Sequence, residues 1–306
     1  MKRVVYHVIG VMSGTSLDGV DFCYASFEFS STWTFKIIKS KTIPYSKDWI
    51  ERLRGGIALN ANAITSLNED YTVYLGGIIN HFIENNKLTL IDAVCSHGHT
   101  IFHKPEKNYT LQIGNLPKLS RIINQKVVCD FRVQDVDLGG QGAPVVPIGD
   151  QLLFSEYDYC LNLGGFANIS MDLNDERIAY DICPANIILN HFTRTVGLEF
   201  DDKGQLAAKG TVHTPLLDAL NNLGFYQELQ PKSLGYEFIV ESVFPIIKKF
   251  DLPLEDILTT CIEHSAYQIS TVVNKAVAQI EKEGASMLVT GGGAFNDFLI
   301  SRIASM

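Results

Sequence analysis

Gly10-Val-Met-Ser-Gly-Thr-Ser-Leu-Asp-Gly-Val-Asp21 decides how this chain is read. It joins the strand-like runs 4–12 and 22–29, and a third run follows at 33–43. β-Branched and aromatic residues dominate these runs, as strands require. Residues 13–19 are therefore the tip of a hairpin, crowded with glycines and hydroxyls. Small residues let the backbone come close to a ligand, and successive N–H groups in a tight turn form an anion-binding nest. Ser13, Thr15 and Ser16 add hydroxyl donors. Asp18 and Asp21 suit a polyphosphate only when a divalent cation rides with it. No lysine follows the glycines, so this is not a P-loop. A plain turn of common turn residues is the competing reading.

The pattern occurs twice. Residues 159–163 form a strand, Gly164-Gly165-Phe166 a turn and 167–173 a second strand. A third run, 178–182, contains Asp181. Between the copies, Leu138-Gly-Gly-Gln-Gly-Ala-Pro-Val-Val-Pro147 holds three glycines and two prolines, the signature of a hinge. Helical spacing appears at 64–84 and 254–283, and strands alternate with helices throughout, so the chain is α/β with parallel members. We read two lobes, 1–140 and 141–306.

Composition excludes several functions. The 306 residues are 46% hydrophobic and carry a net charge of −9, with no Lys/Arg run to form a nucleic-acid face. An acidic surface does not dock on anionic membranes. No apolar stretch is long enough to span a bilayer. Residues 4–12 mimic a short signal peptide, but cleavage near there would destroy the glycine-rich tip. They are read as a buried strand of a cytoplasmic protein. Six scattered cysteines form no C-x-x-C pair, which argues against structural zinc or a redox dithiol.

Other segments carry chemistry. Asp181 stands at a strand end before Pro184, where a carboxylate can take a proton from an attacking oxygen or cap a helix. Ser96-His97-Gly98-His99-Thr100 is read as a loop offering polar contacts rather than a metal site. Arg132 can grip a carboxylate or pair with Asp135. Gly291-Gly292-Gly293 leads from a strand into a helix, a place for a ring or phosphate. A serine-nucleophile elbow and a dinucleotide fingerprint are both missing.

These blocks, in this order, resemble the anhydro-N-acetylmuramic acid kinases of the sugar kinase/Hsp70/actin superfamily. The resemblance also includes Leu111-Gln-Ile-Gly114, Asp130-Phe-Arg132, Gly139-Gly-Gln-Gly-Ala-Pro-Val-Val-Pro147 and Pro231-Lys-Ser-Leu-Gly-Tyr-Glu237. It implies a two-lobed actin-like, ribonuclease-H-like ATPase fold, with mixed sheets flanked by helices and ATP in an interdomain cleft. It implies phosphorylation of O6 of 1,6-anhydro-N-acetylmuramic acid while water opens the anhydro bridge at C1, a step of cell-wall recycling. Asp181 matches the general base. Gly14, Thr15, Ser16, Leu17, Asp18, Gly19, Val20 and Asp21 match the phosphate loop. Gly164, Gly165 and Asn168 match a second phosphate hairpin, and Gly291, Gly292 and Gly293 match nucleotide-side glycines. His97, Thr100, Arg132, Gly140 and Gly142 fall on the sugar side. Mg2+ is expected with the ATP, near Asp18, not in a dedicated protein site. The expected partners are the amino sugar and ATP, without nucleic acid or membrane; a homodimer stays open.

Two departures add bulk. The family reads D-T-G-P-G-N where this chain has Asp181-Ile-Cys-Pro-Ala-Asn186, and a glycine where it has Cys129. The sequence is also expected to lack a tail with which the family continues past Met306. Two alternatives stay open here: a divergent or truncated member that binds without turnover, and a kinase for another amino sugar.

Overall fold

The computed structural model describes residues 4–14, 17–104, 107–173, 176–230, 232–280 and 284–306. Two compact units result, Met1–Val145 and Val146–Met306.

In the first unit β1 (Val4–Ser13), β2 (Gly19–Phe29) and β3 (Trp33–Pro44) form an antiparallel meander. The helices α1 (Lys47–Gly55) and α2 (Ala61–Asn85) follow. β4 (Ala93–Lys104) then returns parallel to β1, and β5 (Tyr109–Ile113) pairs antiparallel with β4. Next come α3 (Lys118–Ile123), β6 (Val127–Val128, beside β4) and α4 (Phe131–Asp137). The strand order is β3-β2-β1-β4-β5.

Ser46 and Asn60 cap α1 and α2, their side-chain oxygens accepting from the N–H groups of Trp49 and Ala63. On α2, Leu67, Tyr71, Leu75, Ile79 and Phe82 recur at helical spacing and are buried against Ile9, Val11, Val20 and Phe22 of the sheet. The Phe22 and Phe82 rings stack at 4.9 Å. Each such side chain contributes roughly 1.5–3 kcal/mol of burial.

The second unit opens with α5 (Pro147–Leu153). It repeats the meander as β7 (Tyr159–Leu163), β8 (Phe166–Leu173) and β9 (Glu176–Pro184). α6 (Asn186–Arg194), α7 (Thr214–Asn221), the short α8 (Tyr236–Phe238) and α9 (Phe244–Ile247), and the long α10 (Leu254–Ile280) come next. β10 (Met287–Thr290) returns parallel to β7, and α11 (Asp297–Ala304) follows. The order β10-β7-β8-β9 corresponds to β4-β1-β2-β3. An antiparallel three-strand meander whose first strand takes a parallel neighbour after the helices is the ribonuclease-H-like arrangement. Its occurrence twice in one chain is the actin-like fold. The core of this unit joins Leu161, Leu163 and Ile169 to Leu258, Ile262 and Ile269 of α10.

The sequence reading put residues 96–100 on a loop. Instead β4 continues to Lys104. Gly98 takes φ +71°, and an irregular register beyond Thr100 lets the strand carry on against β5.

Candidate active site

The register of the second sheet lines up one polar row. Thr290 lies opposite Asn162, Asn162 opposite Asn168, and Asn168 opposite Asp181. Opposed residues share a sheet face, so the row crosses all four strands. The neighbouring pairs Leu161–Ile169, Ile169–Tyr180 and Ala167–Cys183 face the core, none of these residues more than 3% exposed. Between Ala167–Cys183 and Asn168–Asp181 the register slips, and Ile182 has no residue opposite it. Such a bulge re-aims a side chain. Here Asp181 is left half-buried beside Asn168, while Ile182 and Cys183 are almost wholly buried.

The bulk expected beside the carboxylate therefore goes elsewhere. Ile182, Cys183 and Ala185 belong to the core, and burial pushes the Cys183 thiol up to about 12. That cysteine is a small hydrophobe, not a nucleophile.

Asp181 is fixed from its outer side by residues that sequence reasoning left without a role. Its N–H donates to the Lys232 carbonyl (3.0 Å), and its Oδ2 accepts from the Leu234 N–H (2.8 Å). Lys232 is anchored in turn: Nζ donates to the Phe225 carbonyl (2.8 Å) and stands 4.2 Å from the Phe225 ring centre. A backbone donor on a carboxylate is a charge-assisted bond, so one oxygen is oriented.

The glycines divide into two kinds. A Cβ on Gly164 or Gly165 would meet nothing closer than 3.6 Å, so packing does not require glycine there. The carbonyls of this turn are taken by the start of α6. Gly165 O accepts from Ala185 and Ile187 N–H groups, and Gly164 O from Asn186 Nδ2 (2.8 Å). Gly291 has φ +82°, and a Cβ there would lie 2.5 Å from Asn162 Oδ1. A Cβ on Gly293 would lie 2.7 Å from Leu163 Cβ. Those two are small because the loop after β10 crosses the end of β7. Gly292, with Asn186, Phe200, Lys203 and Phe295, lines a hollow of about 450 Å3. Phe295 is 80% exposed and Phe200 60%. Two such rings at the mouth of a hollow this size offer flat apolar surface to a planar ligand. Phe295 follows the glycines 291–293 and Phe200 stands in no motif, and the exposure of both is visible only in the structure.

In the first unit the tip of the β1–β2 hairpin holds Gly14, Leu17 and Asp18; Thr15 and Ser16 lie outside the described residues. Leu17 N–H donates to Gly14 O (3.4 Å), and Asp18 is exposed. Gly19 is small because β3 passes close by: a Cβ would lie 2.5 Å from Ile43 O. Val20 is wholly buried, and exposed Asp21 accepts from the Thr42 hydroxyl (2.5 Å).

His97 and Arg132 meet nearby in the fold. Arg132 Nε donates to His97 Nε2 (2.8 Å) and Nη1 donates to Gly142 O (2.7 Å). With Nε2 accepting, the hydrogen sits on Nδ1 and is given to Gly98 O (2.9 Å). Burial lowers the pKa of His97, so the ring is neutral. Asp135 Oδ2 accepts from Gly142 N–H (2.6 Å), and Gly140 packs on the same carboxylate. Arg132 and Asp135 thus hold the 139–142 loop by a carbonyl and an amide. Thr100 Oγ1 accepts from Gln112 Nε2 (3.3 Å), and Gln112 Oε1 is buried without a partner among the described residues.

The family model described as anhydro-N-acetylmuramic acid kinase matches residues 6–306. The anhydro-N-acetylmuramic acid kinase of Photobacterium profundum is 32% identical, over 97% of this chain and 83% of that protein. That of Pseudomonas syringae pv. tomato is 34% identical, over 98% and 84%. Among solved structures, a hexokinase from Schistosoma mansoni complexed with glucose covers 99% of this chain and 78% of its own, at 8% identity and a TM-score of 0.44. The chain belongs to the anhydro-N-acetylmuramic acid kinase family.

Proposed function

We propose that this protein is an ATP-dependent kinase that opens 1,6-anhydro-N-acetylmuramic acid and yields N-acetylmuramic acid 6-phosphate during peptidoglycan recycling. The observation that carries the reading is the placement of Asp181. A bulge turns it out of the core beside Asn168, and Leu234 N–H orients its carboxylate. In the proposed reaction Asp181 takes a proton from water as the water oxygen bonds to C1. The C1–O6 bond breaks, and its electron pair leaves on O6. O6 attacks the γ-phosphorus, ADP departs, and Asp181 later returns its proton to solvent. One carboxylate thereby serves both bond changes, and positioning supplies much of the rate.

The turns 14–18 and 164–165 are assigned to the phosphates. Gly164 and Gly165 support this, because they are small without a packing reason. The hollow at Gly292, Phe200 and Phe295 is assigned to the nucleoside. His97, Thr100, Arg132, Gly140 and Gly142 are assigned to the sugar, with Arg132 acting through His97 and the glycine loop. Among the described residues no group of three or more His, Cys, Asp or Glu could hold a metal alone. Mg2+ keeps several waters and takes one or two carboxylates beside phosphates. Asp18, exposed on the phosphate turn, is the residue that would hold it, and the bound cation would neutralise phosphoryl charge. Among the described residues no helix is long and apolar enough to cross a membrane. We assign the reaction to the cytoplasm, where ATP is available.

The test is product formation from ATP and a panel of sugars: the anhydro sugar, N-acetylmuramic acid and N-acetylglucosamine. Phosphorylated product is expected from the anhydro sugar and much less from the other two. Preference for an open-chain-capable sugar would move the assignment to another amino-sugar kinase.

A further inference from the structure

Under the β1–β2 tip lies a chain of four buried side chains to which the reaction above gives no task. Ser13 Oγ is 2.6 Å from Tyr45 OH and 2.8 Å from His99 Nδ1, and Tyr45 OH is 2.5 Å from Tyr71 OH. None of the four is more than 7% exposed. They come from four elements or connections: the end of β1, the residue after β3, α2 and β4.

The Tyr71 hydroxyl bonds that of Tyr45 and also reaches Ser13. One proton order uses every contact: Tyr71 donates to Tyr45, Tyr45 to Ser13, and Ser13 to His99 Nδ1. This order requires an unprotonated Nδ1. Burial lowers the His99 pKa to about 4, so the ring is neutral near pH 7. Every hydroxyl then donates once, and the network is satisfied without solvent.

Tyr45 also reaches the turn through its backbone. Its N–H donates to the Asp18 carbonyl (3.4 Å). Ser13 and Asp18 are the two stems of the turn, the last residue of β1 and the residue before β2. One residue from outside the hairpin thus grips one stem by its hydroxyl and the other by its amide.

We propose that Tyr45, braced by Tyr71, Ser13 and His99, is a positioning residue that holds the stems of turn 14–18 at the separation nucleotide binding needs. This rests on the assignment of that turn to the phosphates. The cluster does not touch the nucleotide; it acts through Gly14 and Asp18.

The experiment is ADP and anhydro-sugar binding by calorimetry, with thermal unfolding, on wild type, Tyr45→Phe, Tyr71→Phe and Ser13→Ala. Tyr45→Phe keeps the ring packed against those of Tyr71 and Tyr74 and removes only the hydroxyl. It is expected to weaken ADP binding about tenfold, the scale of one lost buried hydrogen bond. Sugar affinity is expected to stay unchanged. Ser13→Ala is expected to act in the same direction, and Tyr71→Phe, one step further from the turn, less strongly. Unchanged ADP affinity in both Tyr45→Phe and Ser13→Ala would overturn the proposal. So would equal weakening of ADP and sugar together with a lowered melting temperature, which marks a general structural role. Failure of the wild type to bind ADP would instead remove the assignment of the turn, and that is read before any variant is compared.

Discussion

At the scale of single residues the proposed chemistry rests on how Asp181 is aimed. A strand alternates its side chains, so an aspartate between Tyr180 and Ile182 would ordinarily share a face with Cys183. The unopposed Ile182 breaks that rule and sends Asp181 and Cys183 to opposite sides. Replacing Asp181 by Asn keeps the acceptor for Leu234 N–H but removes the base. Turnover is expected to fall about 10²–10⁴-fold, with the melting temperature and sugar affinity near those of wild type. Equal turnover in the two proteins would take the proton-accepting role from this residue. Arg132 shows how one residue resists reading from sequence. Its type suits a carboxylate ligand, yet two of its donor nitrogens hold His97 and Gly142. Those partners lie 35 and 10 residues away, at distances no spacing rule reports.

At the scale of elements, similar glycine-rich turns do different work. Gly165→Ala is expected to fold normally, since its Cβ would have ordinary room, and to weaken ATP binding by crowding the phosphates. Gly291→Ala is expected to cost about 1–3 kcal/mol of stability, because its Cβ would meet Asn162 and its positive φ disfavours a side chain. Thermal unfolding and ADP titration of the two variants separate these outcomes; a destabilised Gly165→Ala with normal ADP binding would reverse them. The hairpins themselves were legible, because β-branched runs around Gly/Ser/Thr tips are a local signal. The strand nature of residues 96–104 was not. Its polar residues sit opposite Thr110 and Gln112 of β5, and that pairing is a tertiary fact. The Phe200–Phe295 hollow was equally hidden, since its residues are separated by nearly a hundred positions.

At the scale of the whole molecule, one sheet topology is used twice, each time with a glycine-rich tip between its first two strands. Neutral buried histidines in both units make the fold acid-sensitive. Burial lowers the pKa of His99 to about 4 and that of His264 to about 3. The unfolded chain takes up these protons near pH 6.5, the native chain only well below it. Stability is therefore full above about pH 6.5 and is lost as pH falls toward 4. Each histidine contributes a slope of about 1.4 kcal/mol per pH unit inside that window. Melting temperatures are expected to drop between pH 6.5 and 5, above the range of ordinary carboxylates. A flat profile there would mean that these rings are not held neutral.

The proposed bond changes can be followed by one isotope. The reaction is run in H2(18)O with ATP and 1,6-anhydro-N-acetylmuramic acid, quenched quickly, and the sugar phosphate is analysed by mass spectrometry. Heavy oxygen is expected at C1 and absent from the phosphate group, because water opens the bridge and the bridge oxygen receives phosphorus. Heavy oxygen in free inorganic phosphate, with the anhydro sugar intact, would show ATP hydrolysis instead and would contradict the assigned reaction.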